Sequence, residues 1–140
     1  MAEIVREALV AAAPEVVFDV VADVERYPDF LPDVKSVRRE ADRVTMTVQA
    51  GPIELRFTNR ARFDRPRAID LDLVEGPFKT MRARWSFEPA PGGTRVRYQA
   101  QFELALNLPG AGRIAAAALA ANADRTVQAF RQQAEARASS

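Results

Sequence analysis

Apolar and polar residues alternate with a period of two through the middle of the chain. Val44, Met46, Val48 and Ala50 share one parity, against Arg43, Thr45, Thr47 and Gln49 on the other. After Gly51-Pro52 the alternation resumes, with Ile53, Leu55, Phe57, Asn59, Ala61 and Phe63 set against Glu54, Arg56, Thr58, Arg60 and Arg62. Three more runs follow: Ile69, Leu71, Leu73; then Met81, Ala83, Trp85, Phe87; then Val96, Tyr98, Ala100, Phe102, Leu104. Successive side chains of a strand point to opposite faces, so each run predicts a half-buried strand. Short Gly/Pro turns separate the runs, including Glu75-Gly76-Pro77 and the stretch PAPGG. The series therefore predicts an antiparallel meander with one apolar and one wet face.

The period lengthens toward the ends. Val16, Val17, Val20 and Val21 stand at helical spacing behind Pro14, which a first helical turn tolerates. Ala2 to Val10 admits a strand despite mixed alternation, and Val34 to Glu40 another. From Pro109 to about Arg137 no internal proline interrupts the chain, and Leu119, Ala123, Val127, Phe130 and Ala134 mark one stripe of a long helix. That stripe needs a partner, and the apolar face of the sheet is the large surface available. The expected architecture is α+β: a sheet of about six or seven strands covered by one long C-terminal helix, with residues 1–140 as one domain.

One helix about 10–12 Å wide cannot cover such a twisted sheet completely. Ala115, Ala116, Ala118, Ala120, Ala121 and Ala123 make the first half of the helix small, which permits either close approach or open space. The sheet directs Phe57, Phe63, Met81, Trp85, Phe87, Tyr98 and Phe102 inward. These side chains either fill the core or line a cavity between helix and sheet, and both readings stay open at this point.

Composition narrows the chemistry. The 140 residues contain no Cys and no His, with a formal net charge of +1. Thiolate chemistry, disulfides, His-based triads and His/Cys metal sites are excluded, and neither a metal nor a cofactor is called for. Near-zero charge gives no push toward DNA. No apolar run approaches the ~20 residues of a membrane span, and the N-terminus lacks a signal-peptide layout, so a cytoplasmic protein is expected. The match Gly110-Ala111-Gly112-Arg113-Ile114-Ala115 to G-x-G-x-x-A lacks the following parallel strand a dinucleotide site requires, and reads as a turn into the helix.

The stretch Tyr27-Pro28-Asp29-Phe30-Leu31-Pro32 combines two prolines with three large apolar side chains. The prolines are expected to keep it out of helix and strand alike, and its apolar groups to lie over the end of a cavity or to plug the core. Taken with "LVEGPFKTMRARWSF" from Leu73 to Phe87 and "TVQAF" in the last helix, it resembles the coenzyme Q-binding START-like family, within the polyketide cyclase/dehydrase and lipid transport superfamily. That group also includes bacterial ribosome-association toxin-type proteins. The likeness runs over nearly the whole chain, departing at "AFRQQAEA", which lacks the family's basic residue.

The resemblance implies a helix-grip (START/Bet v 1-like) fold with a lipophilic cavity between sheet and helix. It implies a polyprenyl quinone or related lipid as ligand, held by a carrier or chaperone. On this basis the candidate ligand-binding residues are Tyr27, Phe30, Leu31, Phe57, Asn59, Phe78, Met81, Trp85, Tyr98 and Phe102, with no catalytic residue assigned. Asn59 stands out as an amide on the apolar parity, facing a ligand or bonding a bulge in the backbone. Glu75 and Lys79 flank the Gly-Pro-Phe turn as weaker polar candidates. Two rivals remain: a polyketide cyclase/dehydrase enzyme, and a module contacting ribosomes or a membrane surface through its Arg-rich outer face. Glu and Asp residues share that face, so cross-strand ion pairing is the simpler expectation.

Overall fold

A computed structural model describes all 140 residues, Met1–Ser140. Seven strands form one antiparallel sheet: β1 (Ala2–Val10), β2 (Val34–Glu40), β3 (Arg43–Ala50), β4 (Ile53–Asp64), β5 (Ala68–Glu75), β6 (Phe78–Ala90) and β7 (Gly93–Leu104). Their spatial order is β1-β7-β6-β5-β4-β3-β2, so β2 through β7 are neighbours in chain order and β1 closes the far edge beside β7. Period-2 alternation fixes the register, because a one-residue slip would send every apolar side chain to the wet face. Trp85 thus lies opposite Tyr98, and Met81 opposite Phe102.

Between β1 and β2 the chain forms α1 (Pro14–Ala22), a 3-10 turn (Val24–Arg26) and α2 (Tyr27–Phe30). The last of these departs from expectation, since Tyr27-Pro28-Asp29-Phe30 is one turn of α-helix rather than irregular chain. Pro28 sits in the first turn, where the missing N–H has no intrahelical acceptor to lose. Leu31 is extended, as a residue before proline favours, and Pro32 and Asp33 then turn the chain into β2, with the Val34 N–H donating to the Leu31 carbonyl at 3.1 Å. Tyr27 also completes α1: its hydroxyl donates to the carbonyl of Val21, one of the last-turn carbonyls without a partner inside that helix.

The long helix α3 (Ala111–Ala138) lies across the apolar face of the sheet. Its buried stripe includes Ala115, Ala123, Val127, Phe130 and Ala134. Small residues do bring it close to the sheet at one place: a Cβ added to Gly51, in the β3–β4 turn, would lie 3.3 Å from the Ala118 methyl. Gly51 itself has φ +61, which suits glycine at a tight hairpin.

On the outer face the acids and bases pair across strands. Arg84 meets Asp70 at 2.8 Å, Arg62 and Arg82 both reach Asp72 at 3.4 Å, and Arg97 meets Glu7 at 3.2 Å. No helix is long and apolar enough to cross a membrane.

Candidate functional site: a cavity between sheet and helix

Apolar side chains collect in two packed clusters rather than one. The first joins α1, Tyr27 and Leu31 to Trp85, Phe87, Val96 and the second half of α3 through Val127, Phe130 and Ala134. The second gathers Ile4, Val48, Leu55, Phe57, Phe78 and Phe102 around Ala115 and Ala123 of α3. Between them lies a cavity of about 160 Å³ lined by 26 residues, 22 of them hydrophobic, drawn from both clusters. Ala115 and Ala123 of α3 pack at one end and Phe130 at the other, and the helix contributes Leu119, Asn122, Ala123, Thr126 and Phe130 to the lining. Of the two readings left open for the inward aromatics, part is packed core and part lines space.

Nine of the ten expected residues line this cavity: Tyr27, Leu31, Phe57, Asn59, Phe78, Met81, Trp85, Tyr98 and Phe102. Phe30 does not. It is half-buried behind the wall, with its ring 6.3 Å from Tyr27 and 5.8 Å from Phe130. Helical geometry explains the difference, since the single turn of α2 points Tyr27 inward and leaves Phe30 as its backing.

Two aromatic groups frame the space. Phe130 meets Tyr27 and Trp85 at 5.2 Å each, and Trp85 lies over Tyr98 at 4.4 Å. At the other end Phe78 stands edge-on to Phe57 at 5.4 Å and to Phe102 at 6.1 Å, the favoured T-shaped arrangement. Gly76 makes that second group possible. Its backbone passes so near Phe57 that an added Cβ would lie 2.5 Å from the Phe57 Cβ, and its φ of +150 is one that side-chain-bearing residues avoid.

The polar groups of the lining differ in how they are satisfied. The buried Tyr27 hydroxyl is committed to Val21, and burial pushes its pKa well above the ordinary phenol value. Burial likewise pushes Tyr98 up to about 12, so its phenol is neutral at physiological pH. Asn59 is 2% exposed, and its Oδ1 is the only buried side-chain polar atom without a hydrogen-bond partner. A register irregularity does occur at Thr58/Asn59 in the β4–β5 pairing, but the amide oxygen does not bond it.

Glu75 and Lys79 are exposed and lie outside the cavity lining; Lys79 approaches Glu103 at 3.9 Å. Register shifts explain this: Glu75 pairs with Thr58 on β4, but the pairing skips a residue between Leu73 and Glu75, and again between Phe78 and Thr80, so the alternation read from the sequence does not carry through either residue.

The sequence did not mark out Asp33, Asn122 and Thr126, which also line the cavity. Asp33 is held by Arg125, whose Nη2 lies 3.0 Å from Oδ2. Asn122 accepts from Arg125 and donates to the Gln49 carbonyl at 2.9 Å. The signal available was Asn122 itself, an amide beside the apolar stripe of an otherwise Ala-rich helix.

A neutral, mainly apolar cavity between a curved antiparallel sheet and a long C-terminal helix defines a helix-grip protein. The chain matches the polyketide cyclase/dehydrase and lipid transport family over residues 10–131 and belongs to that family. Over 109 residues it is 35% identical to the ribosome association toxin RatA of Vibrio cholerae, covering 74% of this chain and 76% of that one. Among solved structures, it superposes on a protein from Thermus thermophilus with a TM-score of 0.85 at 22% identity, covering 97% of this chain and 99% of that one. The ZhuI aromatase/cyclase of Streptomyces sp. R1128 gives 0.84 at 21% identity, over 97% and 94%. At such identities the two structures establish the shared fold.

Proposed function

We propose that the protein carries or shelters a hydrophobic small molecule in the cavity between sheet and α3, acting as one ligand-binding domain in the cytoplasm. The observation that supports this most is the cavity itself, about 160 Å³ with 22 of its 26 lining residues hydrophobic. Close packing is the norm in protein interiors, and voids of this size are few. A polyprenyl quinone or a related lipid fits the family likeness. Transfer of its apolar surface from water drives binding at about 0.8 kcal/mol per buried methylene, and the polar groups Asn59 and Tyr98 orient its head.

Catalysis has less support. Asp33 is the one acid in the lining, and it is engaged by Arg125. A phenol with a pKa of about 12 is almost wholly protonated at neutral pH and makes a poor general base.

Organic extraction of the purified protein, followed by mass spectrometry, tests the carrier reading. A neutral lipid or quinone is expected from wild type and a reduced yield from Trp85→Ala. Finding nothing extractable, together with no binding of added hydrophobic ligands, sinks it.

Ribosome association is a second reading, favoured by the 35% identity to a ribosome association toxin. Arg82 and Arg84 offer the outer-face test, although both are paired with acids. Co-sedimentation with ribosomal subunits that is lost in Arg82→Glu/Arg84→Glu supports this reading. Its absence in wild type removes it.

A further inference from the structure

The two halves of α3 present different faces to solvent. From Asp124 onward the helix exposes Asp124, Arg125, Gln128, Arg131 and Gln132, the polar back that an amphipathic helix normally turns to water. Before Asp124 it exposes Ile114, Ala117 and Ala121, and from Leu104 to Ala123 the one charged residue is Arg113. A lone exposed Leu says little. Here Leu108, 73% exposed, and Ile114, 51% exposed, flank the start of one helix, with Pro109 and Gly110 exposed between them.

Two hairpin turns bring further chain to the same end of the molecule. The Ala105 N–H donates to the Pro77 carbonyl at 2.8 Å, which fixes the β7–α3 connection against the β5–β6 turn. Gly51, with the exposed Pro52 beside it, approaches Ala118. The result is an uncovered apolar end that backs directly onto the cavity. The helical segment that exposes Ile114 and Ala117 also supplies Leu119 and Ala123 to the lining.

Charge selects what covers this end. Arg113 is exposed without an ion-pair partner, and no acid shares its segment. At the rim Glu54 is held by Lys35 at 2.8 Å and Glu103 lies 3.9 Å from Lys79, leaving Glu75 as the acid without a basic partner. A second copy of the chain, docked through this face about a two-fold axis, would bring the two Arg113 side chains together in a drying contact. A bilayer instead offers hydrocarbon to Leu108 and Ile114 and anionic headgroups to Arg113. No helix is long and apolar enough to cross it, so the contact is one of lying on the surface.

We propose that the β7–α3 connection and the first turns of α3 form a docking surface for a lipid bilayer, with Leu108 and Ile114 inserted below the headgroups and Arg113 at their level. The proposal goes beyond the carrier reading and does not need a filled cavity. It sets the cavity wall against the phase in which an apolar ligand dissolves.

Flotation of the full chain with vesicles of phosphatidylcholine and phosphatidylglycerol in equal parts is the test. Wild type is expected to float, and to bind about fivefold less to phosphatidylcholine alone, the weight of one basic residue at an anionic surface. Leu108→Glu and Ile114→Glu are each expected to lower vesicle affinity about tenfold or more, through loss of an inserted aliphatic side chain. Leu9→Glu, the same change at a residue 53% exposed on β1, is expected to leave it unchanged. Failure of wild type to float, or binding that Leu108→Glu and Ile114→Glu leave intact, overturns the proposal. So does a wild-type dimer in sedimentation velocity that reverts to monomer in Ile114→Glu, which assigns the face to a second copy. Ligand extracted from protein that does not float leaves the carrier reading standing without this surface, and flotation of protein with an empty cavity does the reverse.

Discussion

Asp124 and Arg125 are consecutive on α3 yet bond opposite edges of the sheet. Asp124 Oδ1 lies 2.6 Å from Arg6 Nε on edge strand β1, while Arg125 reaches Asp33, just before edge strand β2, at 3.0 Å. Hydrogen bonds reinforce both links: Arg6 donates to the Ala120 carbonyl at 3.2 Å, and Asn122 donates to the Gln49 carbonyl at 2.9 Å. One stretch of helix thus clasps both edges of the sheet. The two sides are not equivalent, because Asp33 and Asn122 line the cavity whereas Arg6 and Asp124 do not.

Entry is therefore expected on the Asp33 side. Both ion pairs are partly exposed, so breaking either costs about 0–1 kcal/mol of stability. Arg125→Gln should speed ligand association several-fold in stopped-flow measurements of Trp85 fluorescence, while Arg6→Gln leaves the rate unchanged. Equal effects of the two substitutions would place the entrance elsewhere.

The two tyrosines of the cavity wall separate a structural hydroxyl from a free one. Tyr27→Phe leaves the Val21 carbonyl without its donor and should cost about 1 kcal/mol in urea unfolding. Tyr98→Phe breaks no such bond and should be nearly neutral. Both groups have pKa values raised above the unfolded value near 10, so the folded state holds its protons longer. Their contribution is complete below pH 10 and is lost as pH rises, for Tyr98 between about 10 and about 12. Alkaline unfolding should be less steep in the double Phe variant.

At the acid end the sign is opposite. Arg65 holds Asp19 below its usual range through hydrogen bonds of 2.8 and 2.9 Å, tying the β4–β5 turn to α1. The backbone N–H of Ala11 does the same for Glu135, helped by Arg131, tying α3 to the end of β1. Depressed carboxyl groups stabilise the fold above their unfolded pKa near 4, and that stability is lost as pH falls through the lower folded values. Melting temperature should hold down to about pH 4.5 and then drop. In Asp19→Asn and Glu135→Gln it should start lower at pH 7 and decline less on acidification.

Gly76 is the turn residue whose substitution reaches the site. A Cβ there meets Phe57 at 2.5 Å in a backbone conformation that L residues avoid. Gly76→Ala should cost roughly 1–3 kcal/mol and weaken ligand binding by displacing Phe57 and Phe78, whereas Gly92→Ala has open space around it. Comparing the two separates crowding at the cavity wall from turn strain alone, since Gly92 has φ +86.

The sheet was legible because alternation is a backbone-period signal that survives any environment: every strand from Val44 to Leu104 follows it. The α3 stripe was legible for the same reason. The helical turn at Tyr27-Pro28-Asp29-Phe30 was not, because proline penalises a helix interior and the segment is too short to show any interior. Most of the cavity wall could be named, since inward parity plus aromatic size points at the same residues that a void between sheet and helix exposes. Phe30 was misplaced by one face of a single turn. Asp33 and Asn122 escaped notice because their role depends on each other through Arg125, a contact spanning 92 residues of chain between Asp33 and Arg125. Long-range polar pairs leave no periodic trace.

Filling the void gives the sharpest contrast between a cavity and a packed core. Ala123 is buried on α3 and lines the space. In a close-packed interior, Ala123→Leu forces neighbours off their rotamers and costs typically about 1–3 kcal/mol. Beside about 160 Å³ of unoccupied volume, the added side chain instead gains contacts and buries about three further carbons, each methylene being worth about 0.8 kcal/mol. The expected outcome is a variant at least as stable as wild type in urea unfolding that no longer binds added hydrophobic ligands or yields extractable lipid. Stability and binding would then move in opposite directions, which overpacking cannot produce. A destabilised Ala123→Leu that still binds would mean that the ligand occupies some other part of the molecule.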